Sequence, residues 1–324
     1  MIDTVSLAGA LALAAFSSPG ATQENCSVVD RLATEGLERE LEIVNSADRK
    51  AAYAAYIASF DTDARVYGLV PGRPATLDDV AEHYRAVFFE LGGGTLVEDE
   101  VYTAGPMAAH RYHSMLTLNG TFDGVEARDK QVILRGQTFF HFGKDGRIIE
   151  RWSNHDHAYR MEQLLGEKGR IEGEELGEQL NGPGLTEADG YRFVDAFAAN
   201  FSRAESPELR KQSIANQLAE DVTIHGLGCS PVSKRHLLGH LDDLWSAFPD
   251  LFMTIVGTPA SGWSMIAFRW KAIGSQRKAF GDWRLEGRAA AEWRGEVIMK
   301  LGEDGRATEI WWNEQPLVIQ SFNQ

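Results

Sequence analysis

The chain has 324 residues, 44% of them hydrophobic and 24% charged, which is the composition of a globular protein long enough for two domains. Lys and Arg number 32 against 47 Asp and Glu, and the resulting net charge of −15 repels phosphate backbones and anionic lipid, so neither nucleic acid nor a membrane is expected as a partner. No apolar run approaches the ~18 residues of a spanning helix, and Cys26 and Cys229 have neither zinc-site nor disulfide-framework spacing.

Residues 1–27 stand apart as an N-terminal extension. The run Val5–Phe16 (VSLAGALALAAF) followed by SSPGATQ has the length and small-residue tail of a signal peptide. The absence of Lys and Arg before it, the presence of Asp3 and the lack of an A-x-A site argue the other way. Export and a cytoplasmic location with an extra amphipathic helix both stay open. In the first domain, 28–165, Asn45 or Ser46 is expected to cap a helix over AAYAAYIASF, and a further helix is expected at Asp78–Glu90. Gly92–Gly94 reads as the stop of that helix. Strands are expected at Leu96–Thr103, Met107–Leu118, Lys130–Phe142 and Arg147–His155. The stretch 166–185, rich in Gly and Glu and ending in Gly-Pro-Gly, reads as a linker. In the second domain, 186–324, Thr186 is expected to cap EADGYRFVDAFAANF, and a helix is expected at His236–Ala247 before an equivalent set of strands.

An internal repeat organises these elements. HFGKDGRIIERWSN (His141–Asn154) aligns with KLGEDGRATEIWWN (Lys300–Asn313) at an offset of 159, with seven of fourteen positions identical. Upstream, DARVYGL (Asp63–Leu69) aligns with DVTIHGL (Asp221–Leu227) at an offset of 158. A period this long is that of a duplicated domain, not a solenoid. Helices followed by an antiparallel meander predict two tandem α+β units, each a curved sheet wrapped over helices.

Strand alternation assigns faces. It puts His110 and Tyr112 inside the first unit and Phe268 and Trp270 inside the second. In the last hairpin, Lys144-Asp145-Gly146 suits a three-residue turn with Gly in the left-handed position. The corresponding register pairs Thr138 with Trp152, Gly136 with Asn154 and Leu134 with Asp156, all on the inward face. A pocket with polar groups on an apolar wall is the expectation.

With GTFDG (Gly120–Gly124), DGRIIERWSNHD (Asp145–Asp156) and FPDL (Phe248–Leu251), both copies resemble SnoaL-like polyketide cyclases of the nuclear-transport-factor-2-like superfamily. The resemblance implies cone-shaped α+β barrels with deep pockets, and the two copies are expected to pack as an intramolecular pseudo-dimer with outer sheet faces in contact or nearly so. It also implies an aspartate, a few residues after E-x-W, acting as general acid/base in ring closure. In the first copy that residue is Asp156; in the second the position holds Gln315, which exchanges no proton near neutrality, so the second pocket reads as degenerate.

The expected function is therefore a cofactor-independent cyclase or isomerase acting on a small hydrophobic carbonyl compound. Asp156 and His110 would be catalytic, with Tyr112, Trp152, Asn154 and Tyr67 binding substrate. The second pocket would hold His225, Trp270, Trp311, Asn313 and Gln315. Each has a plainer reading: a capping Asp, a core His or Tyr, aromatic walls. The cluster His155-Asp156-His157 with His141 does not make a metal site, because the strand register sets His141 far from His155. A hydrolase or dehydratase in the same pocket, and a non-catalytic binding or assembly module, are the alternatives.

Overall fold

The computed structural model describes residues 24–70, 73–89, 94–122, 125–155, 163–165, 186–202, 206–227, 230–280 and 290–320. The segment 1–23, the linker 166–185, and Asp156 with His157 lie outside the described residues. The first unit runs α1 (Glu24–Val44), α2 (Arg49–Ala58), β1 (Phe60–Tyr67), α3 (Leu77–Phe89), β2 (Gly94–Ala104), β3 (Met107–Phe122), β4 (Val125–Phe142) and β5 (Ile148–His155). The second runs α4 (Glu187–Phe201), α5 (Pro207–Asn216), β6 (Leu218–His225), β7 (Val232–Ser233), α6 (Lys234–Ala247), β8 (Phe252–Gly262), β9 (Met265–Ser275), β10 (Ala290–Leu301) and β11 (Ala307–Gln320). Two sheets result, in the orders β1-β5-β4-β3-β2 and β7-β6-β11-β10-β9-β8. The chain is thus a tandem pair of α+β units with one strand order, to which the second adds the short edge strand β7.

Local chemistry explains the helix starts. Thr186 and Asp189 form a reciprocal capping box on α4, and Ser206 caps α5 with Pro207 in the first turn. The cap of α2 is Asp48, which accepts from Ala51 N at 3.0 Å, and not Asn45 or Ser46. Asn45 is otherwise engaged: its amide bridges the backbone of Leu96 with bonds of 2.8 and 2.9 Å. The sheets are also not pure meanders. The strands β1 and β6, which precede the helices α3 and α6, lie parallel to the last strands β5 and β11.

The register of the last hairpin corrects the expected one. Gly146 is in the left-handed region (φ 76°), as the turn requires, but a bulge follows it. His141 pairs with Glu150 and Phe142 with Ile148, leaving Ile149 extra. Beyond the bulge the pairs are Phe140–Arg151, Thr138–Ser153 and Gly136–His155. A one-residue slip exchanges the two faces of a strand. Arg151, Ser153 and His155 therefore share the inner face with His110 and Tyr112, while Trp152 sits opposite Phe139 on the outer face. The second unit has the same bulge at Thr308, so Trp311 is likewise outside and Trp312 inside.

Each unit has its own core, and a third cluster joins them. Tyr102, Met107, Phe139 and Trp152 of the first unit pack against Met265, Ala267, Ile298 and Trp311 of the second. Several of the polar contacts around this cluster occur in related pairs. Thr103 N donates to Glu296 and Ser261 N to Gln137, each at 2.7 Å. Arg111 donates to Pro259 O and Arg269 to Val101 O. Lys300 lies over Trp152, and His141 meets Trp311 edge-on. Under the repeat offset each pair is one contact seen twice, so the two outer sheet faces meet about a pseudo-twofold axis.

Gly68 and Gly226, equivalent positions just past β1 and β6, have φ of +90° and +94°. A Cβ there would lie 2.1 Å from Ser153 O and 1.8 Å from Trp312 O respectively. Gly226→Ala is expected to destabilise the protein by at least ~1–2 kcal/mol from the left-handed backbone alone, with the clash in addition. Urea unfolding would check this; an unchanged midpoint would refute it.

Candidate functional site

The inner face of the first sheet carries a buried polar cluster that the second sheet does not match. Arg151 on β5 and Glu40 on α1 are both nearly inaccessible and approach to 3.7 Å. Arg151 also donates to the Tyr84 hydroxyl on α3 at 2.6 Å and stacks 5.5 Å from the rings of Tyr84 and Phe140. Tyr56 on α2 packs 4.4 Å from Tyr84. On β3, His110 lies 4.8 Å from Tyr112 between ring centroids, and the Tyr112 hydroxyl is 3.0 Å from His155 Nδ1.

His110 is held in a defined orientation. Its Nδ1 is 3.1 Å from Glu98 on β2, whose side chain is 20% exposed against 3% for the imidazole. A carboxylate can only accept, so Nδ1 carries the hydrogen and Nε2 of the neutral ring carries the lone pair. Nε2 is buried with no hydrogen-bond partner among the described residues. The same holds for Ser153 Oγ, Glu40 Oε2 and Arg151 Nε. Buried polar atoms ordinarily find partners, so this concentration of unpaired ones sets the inner face of the first sheet apart.

The electrostatics follow from burial. Burial pushes the Glu40 carboxyl above its ordinary range; Arg151, and the His110 ring whenever it is protonated, oppose this, and Glu98 adds to it. Burial also raises the phenols of Tyr56 and Tyr112, which stay protonated as hydrogen-bond donors. Arg151 keeps its charge, since a guanidinium is not deprotonated in proteins. A deep cation, a carboxyl with a strong proton affinity and an oriented imidazole thus converge.

Of the residues expected from sequence, His110 and Tyr112 lie within this cluster. Asp156 lies outside the described residues; so does the side chain of Asn154, whose backbone pairs with Gln137. Trp152 and Tyr67 are not pocket residues. They stack 5.5 Å apart in the joint between the units, because the bulge at Ile149 turned Trp152 outward. In the second unit, Trp311 stacks at 5.4 Å on His225, which also bonds Glu309 at 3.0 Å, and Asn313 donates to Thr103 O across the joint. Trp270 is buried in the second core with Phe197, Phe268, Trp293 and Trp312. Those rings occupy the space that polar side chains take in the first unit. The backbone of Gln315 pairs with Arg294, and its side chain lies outside the described residues. His141 is engaged with Glu150 at 3.2 Å.

Sequence reasoning missed Glu40, Glu98, Tyr56, Tyr84 and Arg151. One signal was present. Ala33, Leu37, Glu40 and Val44 follow the spacing of an apolar helix stripe, and a carboxylate on such a stripe is either paired or functional.

Residues 38–164 match the family model of SnoaL-like polyketide cyclases. No curated protein sequence matches the chain. Among solved structures, a SnoaL-like polyketide cyclase from Agrobacterium tumefaciens is similar at 17% identity with a TM-score of 0.35, over 41% of this chain and 98% of that one. TsrD from Streptomyces laurentii is similar at 16% identity with a TM-score of 0.35, over 42% of this chain and 96% of that one. The first unit, with the buried polar cluster, is therefore a SnoaL-like domain, and the second is a further α+β unit of the same strand order.

Proposed function

We propose that the first unit is a cofactor-independent acid/base enzyme that moves a proton at a carbon beside a carbonyl, in a cyclisation or isomerisation of a small, largely apolar compound. The observation that supports this reading is the His110–Glu98 pair with its buried, unshared Nε2. In the reaction, Nε2 takes the proton from the substrate carbon. The C–H electron pair moves into a C=C bond, and the carbonyl π pair moves onto oxygen. Glu98 stabilises the imidazolium that forms, and Arg151, with the Tyr84 and Tyr112 hydroxyls around it, faces the oxygen that gains charge. Asp156, which follows His155 in the chain, is assigned by family resemblance as the group that returns the proton. The second unit, with its aromatic core, serves as structural support.

The test is substrate-class exchange. Full-length protein is incubated in D₂O with a panel of uncharged aromatic and alicyclic 1,3-dicarbonyl compounds, and loss of the α-proton is followed by NMR. Exchange above the buffer rate that disappears in His110→Gln is expected. Binding of panel members with no exchange would instead establish a ligand-holding module.

A further inference from the structure

The pseudo-twofold joint is broken at the two hairpins that face it. The hairpin joining β2 to β3 turns through Gly105-Pro106, and the equivalent hairpin joining β8 to β9 turns through Trp263-Ser264. Both Trp263 (φ 55°) and Ser264 (φ 62°) are in the left-handed region, which suits a two-residue hairpin but is strained for a bulky indole. Such strain persists only where the surroundings hold it, and it tends to mark function. The indole crosses into the first unit. It tilts against Tyr67 with centroids 6.1 Å apart, and its Nε1–H donates to Ser153 O at 2.9 Å.

Ser153 is where β5 loses its parallel neighbour. The β1–β5 pairing ends at Tyr67–Trp152, and the chain turns away at Gly68. The remaining residues of β5 include Ser153, on the inner face, and His155, which contacts the Tyr112 hydroxyl. The Trp263 N–H supplies a donor where β1 no longer does. Gly68 forms the slot for it: a Cβ at that position would lie 2.1 Å from Ser153 O and 3.1 Å from Trp263 Nε1. The second unit repeats the slot at Gly226, against Trp312 O, but the hairpin facing it carries Gly105 and no ring. The indole is present only on the side whose inner face is polar.

We infer that Trp263 is a positioning residue: the second unit uses its indole N–H to fix the end of β5, and so the Ser153–His155–Tyr112 edge of the site in the first unit. This rests on the proton-transfer reading for its consequence, but not for its geometry. Trp263→Phe keeps the ring against Tyr67 and removes only the donor. Trp263→Gly gives the turn the residue its counterpart has, relieves the backbone and serves should the Phe variant not fold.

The readout is the imidazole spectrum of full-length protein labelled with ¹³C-histidine, with His155 assigned through His155→Gln and His225 as the control on the second unit. In the variant, the His155 signal is expected to shift or broaden and the His225 signal to stay. The α-proton exchange rate is expected to fall about tenfold, a size that small misplacements of reacting groups produce, with the apparent binding constant of the dicarbonyl unchanged. An unmoved His155 signal would overturn the inference and make Trp263 a packing residue. Should His155 respond while the wild-type protein exchanges no proton from any panel member, the positioning role stands and the enzymatic reading falls.

Discussion

Arg151→Met is expected to destabilise the first unit by about 3–5 kcal/mol, the usual result of removing one member of a buried pair. The guanidinium is the cation nearest to Glu40, bonds Tyr84 and lies against two aromatic rings. Methionine replaces some of the apolar contact but none of the charge. Glu40 would then keep a buried carboxyl with less to hold it ionised, and it would respond by retaining its proton.

The sign of the pH effect follows. Glu40 already titrates above its ordinary range in the folded protein. Its stabilising contribution is therefore complete below the pKa of an unfolded glutamate and is lost as pH rises through the folded value. Removing Arg151 raises the folded value further, so the deficit of Arg151→Met should grow from mildly acidic to neutral pH. The double variant Glu40→Leu/Arg151→Met should recover most of the loss, because two apolar groups replace two charges. Urea unfolding at several pH values measures all three. A deficit below about 1 kcal/mol at neutral pH, or a double variant less stable than the single, would contradict this account.

The second large effect is on chemistry. His110→Gln is expected to reduce α-proton exchange by a factor of about 10²–10⁴, the range that a positioned general base supplies. Glutamine occupies similar space and can still bond Glu98, so the fold should persist, and near-equal denaturation midpoints would verify it. Glu98→Gln should produce a smaller loss. It leaves the imidazole in place but removes the charge that fixes its tautomer and offsets the imidazolium. Exchange that survives in His110→Gln would move the role of base elsewhere, with Asp156 first in line, and Asp156→Asn would then decide.

Much of the architecture was legible because it rests on local rules. The repeat offset, the alternation along β3 and β10, Thr186 as a cap and Gly146 in a left-handed turn each involve residues close in the chain or related by duplication. Alternation placed His110 and Tyr112 on the inner face because β3 and β4 pair without a bulge until Leu118. The same reasoning failed on β5. A single extra residue at Ile149 reverses the faces of everything after it, and a branched side chain in an ordinary-looking strand does not announce a bulge. Trp152, and Trp311 and Asn313 past the equivalent bulge at Thr308, were accordingly assigned to pockets when they belong to the joint between the units, as do Tyr67 and His225, which had been placed by their matching positions in the repeat.

Sequence by itself determined the two-unit plan, the order of strands and helices, and the family of the first unit, because hydrophobic period, capping and duplication are written residue by residue. Tertiary structure decided the site. Glu40, Tyr56, Tyr84, Glu98, His110 and Arg151 come from α1, α2, α3, β2, β3 and β5, and nothing in their spacing along the chain brings them together. It also decided which residues meet across the outer faces, since the fit of two surfaces depends on shape across a contact that no local pattern encodes.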